Sequence, residues 1–212
     1  MASNSRVGLP DPINVSLEIM TIRKLKEFIC DKLKKELSSK LSYHGLHHTL
    51  NVLEVCNRYI RRLQLSPKDA YLLRTAAIMH DVGILWTYNG HEEAAVQYAW
   101  KLLPGYGYTK SDIQKIEGMI LATKIPQKPR TQLEKILCDA DLDYLGTDSF
   151  YPIGNTLKKE FISYGIIKNK EEWNQLQINF LSGHAYHTTY AKKYREGKKR
   201  KFLEELNIKE KK

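Results

Sequence analysis

Apolar residues recur along this chain at spacings of three and four, the period of a helix with one buried face. No run shows the strict alternation of a half-buried strand. From Ile22 the stripe continues through Leu25, Ile29, Leu33 and Leu37 with lysines on the outer face, predicting an amphipathic first helix. A second is expected from about His47 to Leu63, through Leu50, Leu53 and Ile60. Ser66-Pro67-Lys68-Asp69 then supplies a cap residue, a proline at the first helical position and an acid three residues after the cap. The third helix therefore starts at Pro67, carries Tyr71 to Met79, and delivers His80 and Asp81 at its end, just before Gly83. His91 to Leu103 is a compact helical pattern closed by Pro104 and Gly105, while Ser111 with Gln114 and Thr131 with Glu134 match the capping-box spacing. Tyr151 to Tyr164 ends at Gly165, and Glu171 to Arg195 is one long periodic stretch with a break at Gly197 before a short basic helix to Leu206. Residues 1–15, with Gly8, Pro10 and Pro12, read as an irregular lead-in. The expected architecture is an all-α bundle of about seven to nine helices over residues 16–195, followed by a basic C-terminal tail at 196–212.

Composition changes this picture little. A chain of 212 residues suits one domain with a real core. Cys30, Cys56 and Cys138 are odd in number, widely spaced and set in apolar or helical stretches, as expected of reduced core residues. No apolar run approaches eighteen residues and Met1 to Pro12 lacks the order of a secretory signal, so a cytoplasmic location is expected. The net charge of +10 sits at the two ends, with ten Lys or Arg against four Glu from Lys192 to Lys212. Such ends suit an anionic substrate, nucleic acid or an acidic surface, or are simply solvated. There is no RNP-like or helix-turn-helix signature of a specific nucleic-acid reader.

The histidines alter the picture most. Five of seven fall between positions 44 and 91, and the acidic segment Asp139-Ala140-Asp141-Leu142-Asp143 follows. His44 and His48 are four apart and can share one face of a helix or its first turn. His80 and Asp81 close the apolar run Ala76-Ala77-Ile78-Met79, where an unpaired carboxylate costs several kcal/mol or takes up a proton. Asp141 is likewise inserted into a mostly apolar face. Imidazoles and carboxylates from separate helices suit a divalent metal such as Mn, Fe, Co, Zn or Ni. His47 points away from His48, and Asp139 and Asp143 point away from Asp141, in supporting or capping roles. His184 and His187 fall on the long late helix beside Tyr186 and Tyr190, lining a pocket or an ordinary aromatic face.

On His48, the His80-Asp81-Val82-Gly83 segment and Asp141 in its Ala-Asp-Leu-Asp context, the chain resembles the HD-domain superfamily of metal-dependent phosphohydrolases over roughly residues 20 to 190. It is similar in particular to small bacterial members that carry Tyr-His-x-x-x-His, as at Tyr43 to His48, and a His-Glu pair, as at His91-Glu92. The resemblance implies one divalent ion (Mn, Fe, Co, Ni, Zn or Mg) held by His48, His80, Asp81 and Asp141. It also implies metal-activated water and a small phosphorylated, nucleotide-like substrate. Asp81 is then catalytic as well as ligating, and His44 corresponds to the histidine that protonates the leaving oxygen in related cyclic-nucleotide phosphodiesterases. Glu92 would orient or deprotonate water, or simply stabilise its helix start. His91 is a ligand for a second ion, whose set is incomplete because Leu121-Ala122-Thr123-Lys124 stands where a further histidine is expected. Lys124 is a candidate for the substrate phosphate. The alternatives are a regulatory module that binds nucleotide or nucleic acid around a structural metal, and a di-iron oxygenase.

Overall fold

The computed structural model describes residues 12–210, and every regular element within them is helical. Ten α-helices follow in order: α1 (Pro12–Glu36), α2 (Leu46–Leu63), α3 (Pro67–Met79), α4 (His91–Leu102), α5 (Lys110–Thr123), α6 (Gln132–Asp141), α7 (Phe150–Ser163), α8 (Lys170–Gly183), α9 (Thr189–Tyr194) and α10 (Glu196–Glu210). Short 3-10 turns at Val82–Leu85, Leu103–Tyr106 and Asp143–Gly146 link several of them. The count reaches ten because the stretch from Glu171 to Arg195 is two helices. Asp139 of α6 accepts the N–H groups of His187 and Thr188, each at 2.8 Å, and amides engaged in this way cannot extend the ladder of α8. His184 and His187 therefore lie on an irregular link, after which Thr188 caps α9.

Two helix starts differ from expectation. α1 begins at Pro12, not near Ser16, because proline has no N–H to leave unpaired in a first turn; residues 1–11 of the expected lead-in lie outside the described residues. The capping box of α5 is Thr109 with Asp112, not Ser111 with Gln114. Asp112 also binds the Lys68 ammonium at 2.9 Å, a tertiary contact that fixes the earlier register. The Ser66 cap and the Thr131 capping box form where the sequence puts them.

The buried faces of α1 to α6 make one core, including Leu25, Ile29, Leu72, Leu73, Ile116 and Leu137. A smaller cluster of Leu142, Leu145, Phe150, Leu181, Phe202 and Leu206 ties the 143–146 turn to the later helices. The expected basic tail is here part of the fold. Phe202 and Leu206, four residues apart, are buried as α10 packs on α8, and Phe202 stacks on Phe150 with centroids 4.5 Å apart. α10 buries that face while lysines such as Lys201 and Lys209 stay in solvent.

Two glycines permit the close approaches that shape the site. A Cβ at Gly83 would lie 1.9 Å from the His91 carbonyl oxygen and 2.6 Å from Ala95 N, so a bare glycine lets the start of α4 sit against the His80-Asp81 corner. A Cβ at Gly146 would lie 2.5 Å from the Arg195 carbonyl oxygen, so the junction of α9 and α10 rests on the 143–146 turn. Among the described residues no helix is long and apolar enough to cross a membrane.

Candidate active site

His48 projects from the first turn of α2, on the same buried stripe as Val52 and Cys56. His80 and Asp81 occupy the corner where α3 gives way to the 3-10 turn, and Asp141 is the last residue of α6. The fold brings these four together. His48 Nε2 lies 3.0 Å from Asp141 Oδ1 and 3.3 Å from Asp81 Oδ2, while His80 Nε2 lies 3.2 Å from Asp81 Oδ2 and 3.7 Å from Asp141 Oδ1. One ligand atom each from His48, His80 and Asp141 falls within 4.8 Å of the others.

Hydrogen bonds set which nitrogen faces inward. His80 Nδ1–H donates to the Ala77 carbonyl at 2.9 Å, so Nε2 is the nitrogen that faces the centre, 3.3 Å from His48 Nε2. His91 Nδ1–H donates to the Tyr88 carbonyl at 2.9 Å in the same way, leaving His91 Nε2 3.6 Å from Asp81 Oδ1. Asp81 thus presents one oxygen to His48 and His80 and the other to His91. Asp81 Oδ2 is buried without a hydrogen-bond partner.

The charges fit a cation. Burial opposes the charging of His48, but its hydrogen bond to Asp141 and the attraction of Asp141 and Asp81 outweigh it and raise its pKa to about 9. Burial also opposes the ionisation of Asp141, yet His48 and His80 hold it at about 2. Asp81, buried, and Asp141, partly buried, draw protons onto neighbouring imidazoles and form a site short of positive charge. Two imidazole nitrogens, two carboxylates and one orphaned oxygen match the donor set of a divalent ion of intermediate hardness.

His44 lies two residues before α2, and its surroundings supply a residue the sequence reading missed. Glu160 of α7 is fully buried, and Glu160 Oε2 accepts the N–H groups of Tyr43 at 2.8 Å and His44 at 3.0 Å. Its other oxygen accepts from His44 Nδ1 and, at 2.9 Å, from the Tyr88 hydroxyl. Burial pushes the Glu160 carboxyl up, but the bonds from His44 and from backbone overcome this and hold it below its ordinary value. The signal in the sequence was its place on the apolar stripe Phe150, Ile153, Leu157, where the next position carries a carboxylate. His44 and Glu92 both line a cavity of about 280 Å³ that also touches Asp81, His91 and Asp141.

Other residues fall elsewhere. Lys124 is not brought to this cavity; its ammonium pairs with Glu93 on the surface, because the chain turns outward after Thr123. His47 is exposed. Asp139 fastens the 184–188 link, and Asp143 binds Arg195 at 2.7 Å and Arg58 at 3.2 Å, so alternate carboxylates of the acidic segment serve separate tasks.

Residues 45–143 match the family model of the HD domain. A solved structure described as a predicted HD superfamily hydrolase, from an uncultured Thermotogales bacterium, is similar with a TM-score of 0.51 and 22% identity, covering 68% of this chain and 85% of that one. At that identity the likeness speaks for the fold. Comparison with curated proteins finds no match.

Proposed function

Because this chain carries an HD domain over residues 45–143, we propose that it is a metal-dependent phosphohydrolase that cleaves a phosphate ester of a small substrate. The observation that carries this reading is the convergence of His48, His80, Asp81 and Asp141 on one buried point at the wall of a cavity that also holds His44. Those four residues would hold the ion, and His91 stands beside Asp81 for a second one. When bound, a divalent ion acidifies water and neutralises charge on a phosphoryl group.

The remaining work falls to the chain's own groups. Glu160 fixes His44 through Nδ1, so Nε2 is the nitrogen left to carry a proton to the oxygen that departs from phosphorus. The Glu160 carboxylate holds the ring in that orientation, making it a positioning residue. Glu92, buried at the start of α4 and lining the cavity, accepts a proton or hydrogen bond from the attacking water.

The test is elemental analysis of the purified protein, followed by a screen of Mn-, Co-, Ni- and Zn-loaded forms against nucleotides and simple phosphomonoesters. His80→Ala and Asp141→Ala are expected to lose the metal and all phosphate release. Unchanged metal content in both variants would overturn the proposed site.

A further inference from the structure

The walls of the cavity differ sharply from its floor. Beyond the His44, Asp81 and Asp141 end, α7, α8 and the 143–146 turn present Leu145, Leu157, Phe161, Trp173, Leu176 and Phe180, with the amide of Gln177 among them. Among the described residues lining the cavity there is neither Lys nor Arg. The nearest lysine in sequence, Lys124, is paired with Glu93 outside it. Polyphosphates are bound by clusters of cationic side chains or by backbone cradles. This cavity instead adds Glu92 to two carboxylates, so only the ion and the imidazoles of His44 and His91 could offset a substrate's negative charge.

We propose that the group esterified to the phosphate is apolar, an alkyl or aryl alcohol seated between α7 and α8, and that the substrate is a phosphomonoester carrying no further charge. This rests on the hydrolase reading for the position of the phosphoryl group, at the His44 and Asp141 end. An apolar wall of this size gains affinity with each methylene it removes from water, by about fourfold per methylene. A nucleoside would instead set its ribose hydroxyls mostly against leucine and phenylalanine, with the Gln177 amide and the hydroxyls of Tyr43, Thr123 and Tyr144 as the few polar groups of the lining beyond the ionisable end.

The experiment uses the metal-loaded full chain and a series of n-alkyl phosphonates from ethyl to hexyl, which bind without a P–O ester bond to cleave. Binding is read from the fluorescence of Trp173, with Trp173→Phe identifying its signal. Affinity is expected to climb by about fourfold per methylene until the cavity fills. Leu157→Phe, at a half-buried position on the wall, should end the climb at a shorter chain while inorganic phosphate binds as before. Hydrolysis of n-hexyl phosphate is then compared with that of nucleoside mono- and triphosphates. A climb with turnover of the hexyl ester at least tenfold above any nucleotide supports both readings. A climb without turnover of any ester keeps the apolar occupant and removes the hydrolase. A flat series with preferred turnover of a nucleotide keeps the hydrolase and overturns the apolar substrate.

Discussion

Glu160 shows how one side chain can organise a site from a distance in sequence. It accepts two backbone N–H groups, an imidazole and a phenol, which leaves no acceptor capacity idle. Glu160→Gln removes the charge but keeps an acceptor for the backbone, so turnover is expected to fall roughly tenfold to a hundredfold with metal content unchanged; kcat beside elemental analysis checks it. His184 gives a second expectation at this scale. Burial, with help from Lys199, lowers its pKa to about 4, and its Nε2 is buried without a partner. The folded state therefore binds fewer protons than the unfolded chain between pH 6.5 and about 4. Its contribution to stability is complete above pH 6.5 and declines as the pH falls through that window. Urea midpoints at pH 7 and pH 4.5 should differ less in His184→Gln than in the natural protein. His80, Asp81 and Asp141 were legible in the sequence because each interrupts an apolar run, and His48 because it stands four residues after His44. Glu160 was hidden because its helix also carries ordinary surface charges such as Lys158 and Lys159.

At the scale of elements, the site depends on the corner between α3 and α4. The backbone of α4 occupies the space a Cβ at Gly83 would need, and no flexible side chain end is there to yield. Gly83→Ala should therefore cost more than the roughly 1–3 kcal/mol of ordinary overpacking and pull His91 and Glu92 away from Asp81. Thermal melting and metal content should fall together in that variant. Helix starts with a complete local signature, at Ser66 and Thr131, were read correctly because a cap is a contact between residues three apart. The start of α5 was not, since two overlapping cap spacings compete there and Lys68, forty-four residues away from Asp112, decides between them. The break at 184–188 was invisible for the same reason. Its cause is Asp139 on another helix.

For the whole molecule, the late helices complete both the core and the cavity. Phe202 of α10 stacks on Phe150, itself a wall of the cavity, so α10 is not a detachable basic appendage. Deletion after Tyr194 is expected to lower the melting temperature markedly and to diminish metal-dependent turnover, whereas a solvated tail could be removed without effect on either. Phe202→Ala should cost about 3–5 kcal/mol, measurable by urea titration. Period, caps and buried polar interruptions are local and recur at short range, so the all-helical class, most helix positions and the four residues that meet at the centre are legible in the chain alone. That Glu160 holds His44, that Lys124 faces away and that the cavity behind the site is apolar emerges from the packing of the helices. Each of these depends on which helix faces come together: His44 and Glu160 are 116 positions apart and Lys124 and Glu93 31 apart, and such contacts leave no periodic trace in the chain.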